Sequence, residues 1–210
     1  MNSDIVKIKS NSESKMLVTH SIPTEYLGLC RKNILSSEAS FMGMAVLSAG
    51  MSLDPSTQVG VCYVDSNNKV LSTGFNSSPK GWDDNIFPWG KDKSLGEENT
   101  KYPYVVHAER NGILNYNGPI SNFDNATAYV TLFPCSECAK AMIQIGVKRV
   151  VYLSNKYKDG KDALLSRTMF EYCGIECLSF EELNKDDIEE LNISLMEVDK
   201  GVMIKKLNKE

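Results

Sequence analysis

No apolar run in the 210-residue sequence approaches the ~18 residues of a membrane-spanning helix. The polar, mixed-charge start from Met1 to Met16 also lacks the apolar stretch of a secretion signal. No membrane-spanning helix is therefore expected, and the cytoplasm is the expected location. A surplus of one charge is missing too. With 23 Lys and Arg against 27 Asp and Glu, the formal net charge is −4, which argues against tight binding to a nucleic-acid backbone. No internal repeat is visible, so a repeat architecture is excluded. Histidine is scarce, with two in the chain, His20 and His107.

What is present is an ordinary globular composition, 42% hydrophobic and 24% charged, long enough for one α/β domain with modest extensions. Six cysteines could pair as three disulfides, yet a chain of this size does not need them and nothing marks it for export. Reduced thiols are expected, some of them metal ligands. Cys30, Cys62, Cys173 and Cys177 have no histidine in their neighbourhood and read as plain core or surface thiols.

Three parts are expected along the chain: an extension over residues 1–36, a catalytic domain over 37–180, and a tail over 181–210. The extension is polar at first and then leads into a short helix or loop near Tyr26–Ile34. After the Ser36-Ser37 start signal, Phe41, Met42, Ala45, Val46 and Ala49 trace an apolar helical face, broken at Asp54-Pro55. Gln58–Val64 and Lys69–Phe75 read as the strands of a hairpin turning at Asp65-Ser66-Asn67-Asn68.

A loop of about 30 residues follows, from Asn76 to Tyr104. Its density of aromatics (Trp82, Phe87, Trp89, Tyr102, Tyr104) predicts packing rather than disorder. Helices are expected over His107–Asn117, Ser136–Gly146 and Asp162–Cys173, and strands over Thr127–Phe133, Lys148–Leu153 and Ile175–Phe180. This order implies a mixed sheet with helices on both faces. The acidic Glu181–Glu190 segment and the tail to Glu210 read as a surface helix or strand arm.

Two short segments carry chemistry: His107-Ala108-Glu109 and Pro134-Cys135-Ser136-Glu137-Cys138. Each falls where a loop or strand meets the start of an expected helix. One imidazole and two thiolates match a catalytic zinc, which keeps its fourth position open, whereas a structural zinc wants a fourth protein ligand. Cys135 and Cys138 are three apart, so both sulfurs turn to one side of a helix start, where the thiolate form is favoured. Glu109 follows the histidine by two residues, close enough to exchange protons with water activated by the metal. Alone, the Cys-x-x-Cys pair fits a structural half-site or a redox pair equally well. His-x-Glu followed by Pro-Cys-x-x-Cys is the pattern of zinc base deaminases.

At these residues the chain resembles the cytidine deaminase superfamily, and within it the deoxycytidylate (dCMP) deaminases. Matching segments include Asp54-Pro55 with Gln58-Val59-Gly60, Gly74-Phe75-Asn76, Pro88-Trp89, Lys101-Tyr102-Pro103-Tyr104, Thr131 to Lys140, and Lys156-Tyr157. The resemblance implies a three-layer sandwich with a five-stranded mixed sheet between helices. It implies one zinc per subunit on His107, Cys135 and Cys138, with Glu109 as the catalytic acid and base. Asn76, Ala108, Pro134 and Tyr157 would bind substrate. Ser77 and Arg110, which replace the family's usual glycine and small apolar or acidic residue, fall where a regulatory nucleotide, dCTP or dTTP with Mg2+, is expected, and the family usually forms hexamers.

Departures are equally plain. The family's basic residues before Asp-Pro are replaced by Met51-Ser52-Leu53, so the substrate phosphate would fall to Lys80, Lys156 or Lys158. Gly112 stands where alanine is usual, at a cost of about 1 kcal/mol in a helix, and the sequence offers no reason for it. The expected reaction is hydrolytic deamination of dCMP. Deamination of another cytosine nucleotide or of a base in nucleic acid is the alternative within the same chemistry. A nucleotide sensor without catalysis is the alternative outside it.

Overall fold

The structure, a computed structural model, describes Cys30 and residues 34–183. Two compact units divide the chain, Met1–Ile34 and Leu35–Glu210, and every element below belongs to the second. Apart from Cys30 and residues 34–36, the expected extension lies outside the described residues, as does the expected tail beyond Leu183. No helix among the described residues is long and apolar enough to cross a membrane.

Helix α1 (Ser37–Ala49) starts as its sequence demands. The Ser36 hydroxyl accepts the Ala39 N–H at 3.0 Å, and Glu38 sits in the positively polarised first turn. Next come the hairpin strands β1 (Gly60–Val64) and β2 (Val70–Phe75). In the turn, Asp65 Oδ1 accepts the N–H groups of Asn67 and Lys69, and Asn68 takes the left-handed conformation, φ 61°. Then follow α2 (Ala108–Asn115), β3 (Thr127–Leu132), α3 (Ser136–Gln144), β4 (Arg149–Ser154), α4 (Lys161–Tyr172), β5 (Glu176–Ser179) and the short α5 (Phe180–Leu183).

The strands form one mixed sheet in the order β2-β1-β3-β4-β5. β1 is antiparallel to both neighbours, whereas β3, β4 and β5 run parallel. Period-two alternation along each central strand splits the core into two layers. Val61, Tyr63, Ala128, Val130 and Val150 face α2, α3 and α4, where they pack with Ala108, Met142 and Phe170. Cys62, Val64, Tyr129 and Val151 face the other way, toward Phe41, Met42 and Ala45 of α1 and Phe180 of α5. The result is the expected three-layer α/β sandwich.

Differences from expectation are local and have physical causes. His107 caps α2 in extended conformation rather than opening it, and Tyr116 leaves the helix two residues early. A single 3-10 turn, Ile120–Phe123, then buries Phe123 edge-on against Tyr63 with ring centres 5.3 Å apart. Phe180 begins α5 instead of ending β5, because its side chain is buried against the α1 face. The long loop is packed, as its aromatics predict. Trp82 meets Phe87 and Tyr104 at 5.2 and 5.1 Å, and Phe87 meets Trp89 at 4.4 Å. Paired hydrogen bonds between Ser77 and Val106 close its neck.

Gly112 now has its reason. A Cβ there would lie 2.7 Å from the Tyr63 ring and 2.8 Å from Val61 Cγ1. A Cβ on Gly74 of β2 would lie 2.3 Å from the Gly112 nitrogen and 2.4 Å from the Ala108 carbonyl oxygen. Two facing glycines therefore let α2 lie directly on the hairpin, and this contact outweighs the helix-propensity cost of Gly112. Gly74→Ala, which meets backbone that cannot give way, is expected to destabilise by about 2 kcal/mol. Gly90→Ala, with nothing within 4 Å of the added methyl, should stay within about 0.5 kcal/mol. Urea denaturation midpoints at unchanged slope measure both.

Candidate active site

The two chemistry-bearing segments meet at one edge of the sheet. β3 and β4 end there, the hairpin delivers Asn76 at the end of β2, and α2 and α3 both begin there. Ligands of parallel sheets bind outside such carboxyl-terminal strand ends. A cavity of about 670 Å³ opens at this edge, bounded in part by Asp54, Asn76, His107, Glu109, Cys135 and Tyr157.

His107 is the N-cap of α2 and Cys135 the N-cap of α3, so two helix starts point their positive ends at the same volume. The Cys135 and Cys138 sulfurs lie 3.3 and 3.5 Å from His107 Nδ1. Tetrahedral zinc, with Zn–S about 2.3 Å and Zn–N about 2.0–2.1 Å, requires sulfur–nitrogen edges of about 3.6 Å. One donor atom from each residue falls within 4.8 Å of the others. The donor set therefore fits a single zinc ion with one position left over.

Protonation equilibria at the cluster point the same way. A hydrogen bond from Cys138 pulls the Cys135 thiol well below the ordinary thiol range; burial opposes this and His107 reinforces it. Cys138 is pushed up, because it shares its proton with Cys135 and is buried. The His107 imidazole is raised by its hydrogen bond to Cys135. A half-buried and a buried sulfur beside an imidazole thus favour the thiolate form at Cys135, the form a divalent cation binds. Cys62 and Cys177 differ in kind. Burial alone pushes Cys62 up to about 12, and burial followed by the Glu176 charge pushes Cys177 to about 11. All six cysteines are free.

Glu109 is 4% exposed and lies in the first turn of α2. The Tyr63 hydroxyl donates to its backbone carbonyl at 3.0 Å, tying that turn to the central strand. Burial raises the Glu109 carboxyl above the ordinary carboxylate range; His107 opposes this and the Cys135 thiolate adds to it. A carboxyl so placed binds and releases a proton inside the cavity, which is the task of a general acid and base.

Asn76, Ala108, Pro134 and Tyr157 all line the cavity. Asn76 has little left to offer a ligand. Its amide nitrogen donates to Asp54 Oδ2 and the Thr57 carbonyl at 3.2 and 3.0 Å, and its oxygen accepts the Val59 N–H at 2.8 Å. Ser77 and Arg110 lie outside the lining. The Ser77 hydroxyl accepts from Asn111, and Arg110 pairs on the surface with Glu137 at 3.6 Å. Of the three lysines considered for phosphate, Lys156 lines the cavity, whereas Lys80 and Lys158 do not.

Sequence reasoning missed Lys91, Lys101, Asp54 and Asp162, which line the same space. Asp54 and Lys101 form a buried ion pair. Asp162 accepts the Ser136 N–H at 3.1 Å, beside the Cys135 cap. Asp54-Pro55 and Lys101-Tyr102 stood out as recognisable segments, but nothing in their spacing pairs them.

Comparisons with known proteins agree with this geometry. Residues 35–154 match the family model described as the cytidine and deoxycytidylate deaminase zinc-binding region. The deoxycytidylate deaminase of Homo sapiens is 42% identical over 150 residues, covering 71% of this chain and 83% of that protein. A probable deoxycytidylate deaminase of Drosophila melanogaster is 45% identical, covering 70% and 73%. The apo crystal structure of dCMP deaminase from the cyanophage S-TIM5 superimposes with a TM-score of 0.50 at 25% identity, over 68% of this chain and 96% of that one. With the donor set, the three-layer fold and these relatives in agreement, the chain belongs to the zinc-binding deoxycytidylate deaminases of the cytidine deaminase superfamily.

Proposed function

We propose that this chain hydrolyses dCMP to dUMP and ammonia in pyrimidine deoxynucleotide metabolism. The observation that carries the reading is the buried Glu109 carboxyl beside the His107, Cys135 and Cys138 donors within one cavity. In this reading His107, Cys135 and Cys138 hold zinc. When bound, the ion supplies Lewis-acid activation of water at neutral pH. Glu109 takes a proton from the attacking water, passes it to N3 of the pyrimidine, and delivers a second to the departing amino nitrogen. Atoms balance as dCMP plus water giving dUMP plus ammonia.

The chain's other residues orient the nucleotide. Asn76 turns its remaining Oδ1 lone pair to the sugar or base, and the Ala108 and Pro134 segments border the ring. Lys156 lies 5.0 Å from the centre of the Tyr157 ring and donates to Thr57 Oγ1 at 3.2 Å. With Lys91 it supplies cavity-lining cations to meet the 5′-phosphate where the residues before Asp54 are uncharged. Family membership further supports a cytoplasmic homo-oligomer, a hexamer, with dCTP and dTTP as effectors and Mg2+ accompanying them. Ser77 and Arg110 are the candidate effector contacts in that extension.

A side-by-side assay of dCMP, deoxycytidine, dCTP and single-stranded DNA tests the substrate, with dCMP expected to turn over best. Preference for the polymer would overturn the reading. Adding dCTP or dTTP to the same assay should raise and lower the rate respectively. Glu109→Gln should keep about one zinc per chain while kcat falls by about 10²–10⁴-fold. Cys135→Ala should lose zinc, measured by atomic absorption, together with activity. Retained turnover in Glu109→Gln would sink the assigned proton path.

A further inference from the structure

The Asp54–Lys101 ion pair is buried at the wall of the cavity, with the lysine side chain 9% and the aspartate side chain 2% exposed. Burying two charges is costly, and such a pair on its own is weak evidence of added stability. Its surroundings give it a purpose. Asp54 Oδ1 accepts the N–H groups of Ser56 and Thr57 at 2.8 and 3.2 Å. Oδ2 accepts the Asn76 amide nitrogen at 3.2 Å and the Lys101 ammonium. A carboxylate is acceptor-only, so this arrangement has one hydrogen-bonding solution. Both N–H groups of Asn76 are taken up by Asp54 and Thr57, and its oxygen keeps one lone pair after accepting from Val59.

Lys101 comes from the far end of the long loop. Its N–H donates to the Gly90 carbonyl at 3.0 Å, and its carbonyl accepts from Tyr104 and Val105 at 3.0 and 2.8 Å. One buried ammonium thus joins the folded loop to the amide at the end of β2. We infer that Lys101 is a positioning residue for nucleotide binding, acting through Asp54 to hold the Asn76 amide with its oxygen presented to the substrate. Without the ammonium, the buried Asp54 carboxylate loses its counter-charge and shifts toward water, so the Asn76 amide, still bonded to Val59 and Thr57, loses the anchor that fixes its angle to the substrate. The zinc donors and Glu109 belong to other segments and keep their places.

The inference rests on the deaminase reading, and its test is run on zinc-loaded full chain with whichever cytosine nucleotide the wild type turns over. Wild-type inactivity on dCMP would therefore count against the proposed substrate and leave the Lys101 comparison standing. Lys101→Met is expected to raise KM at least about tenfold while kcat stays within about threefold, a loss of binding rather than of chemistry. Lys101→Arg should recover most of that loss. Inhibition constants for dUMP and for deoxyuridine should weaken by the same factor.

Two results would overturn it. One is a fall in kcat that tracks the melting temperature with KM unchanged, the mark of a purely structural pair. The other is weakening confined to dUMP, the mark of a direct phosphate contact. Should Lys101→Met fail to fold, Asp54→Asn is measured instead. It places an amide N–H against the Asn76 amide nitrogen and should give the same KM rise at preserved kcat; an unchanged KM there rejects the inference.

Discussion

The backbone contact between α2 and the hairpin, made where Gly74 faces Gly112, positions the rest of the site. Side chains at either position would collide with backbone or with the Tyr63 and Val61 side chains, so α2 would have to lift off the sheet. The first turn of that helix carries Glu109, and its cap is His107. A helix displaced by even an ångström would move both relative to Cys135 and Cys138, which are set independently by β3 and α3. Donor spacing in a zinc site tolerates only a few tenths of an ångström. The low helix propensity of Gly112 is thus the cost of metal geometry.

Electrostatics around the cavity follow one rule: each buried charge has a specific partner or a specific task. Asp54 and Lys101 neutralise each other and order Asn76. Cys135 and Cys138 stand beside His107 as a donor set for one cation. Glu109, buried without a salt-bridge partner among the described residues, is a carboxyl whose proton affinity is raised by desolvation. In the proposed mechanism, that division separates substrate orientation, metal binding and proton transfer onto different parts of the chain.

Much of this was legible from residues alone. His107, Glu109, Cys135 and Cys138 were found because helix starts and metal ligation impose short, local spacings. The three layers were readable from alternation in β1, β3 and β4 and from the order of helices between them. The aromatic loop was expected to pack, and it does. Less legible were the ends of α2 and β5, where tertiary packing of Phe123 and Phe180 overrides local propensity. Choosing among candidate phosphate lysines also needed the fold, since Lys80 and Lys158 resemble Lys156 in sequence and differ only in where they lie.

The sequence by itself determined the reaction chemistry and the order of elements, because both are written in short-range patterns of ligands, caps and alternating burial. Tertiary structure alone decided why position 112 must be glycine, which of the three lysines lines the cavity, and that Lys101 reaches Asp54. Those residues are separated by 47 positions, and a charge pair closed across a long loop leaves no period or motif in the chain. The reason is physical: its geometry exists only once the sheet has brought the two segments together.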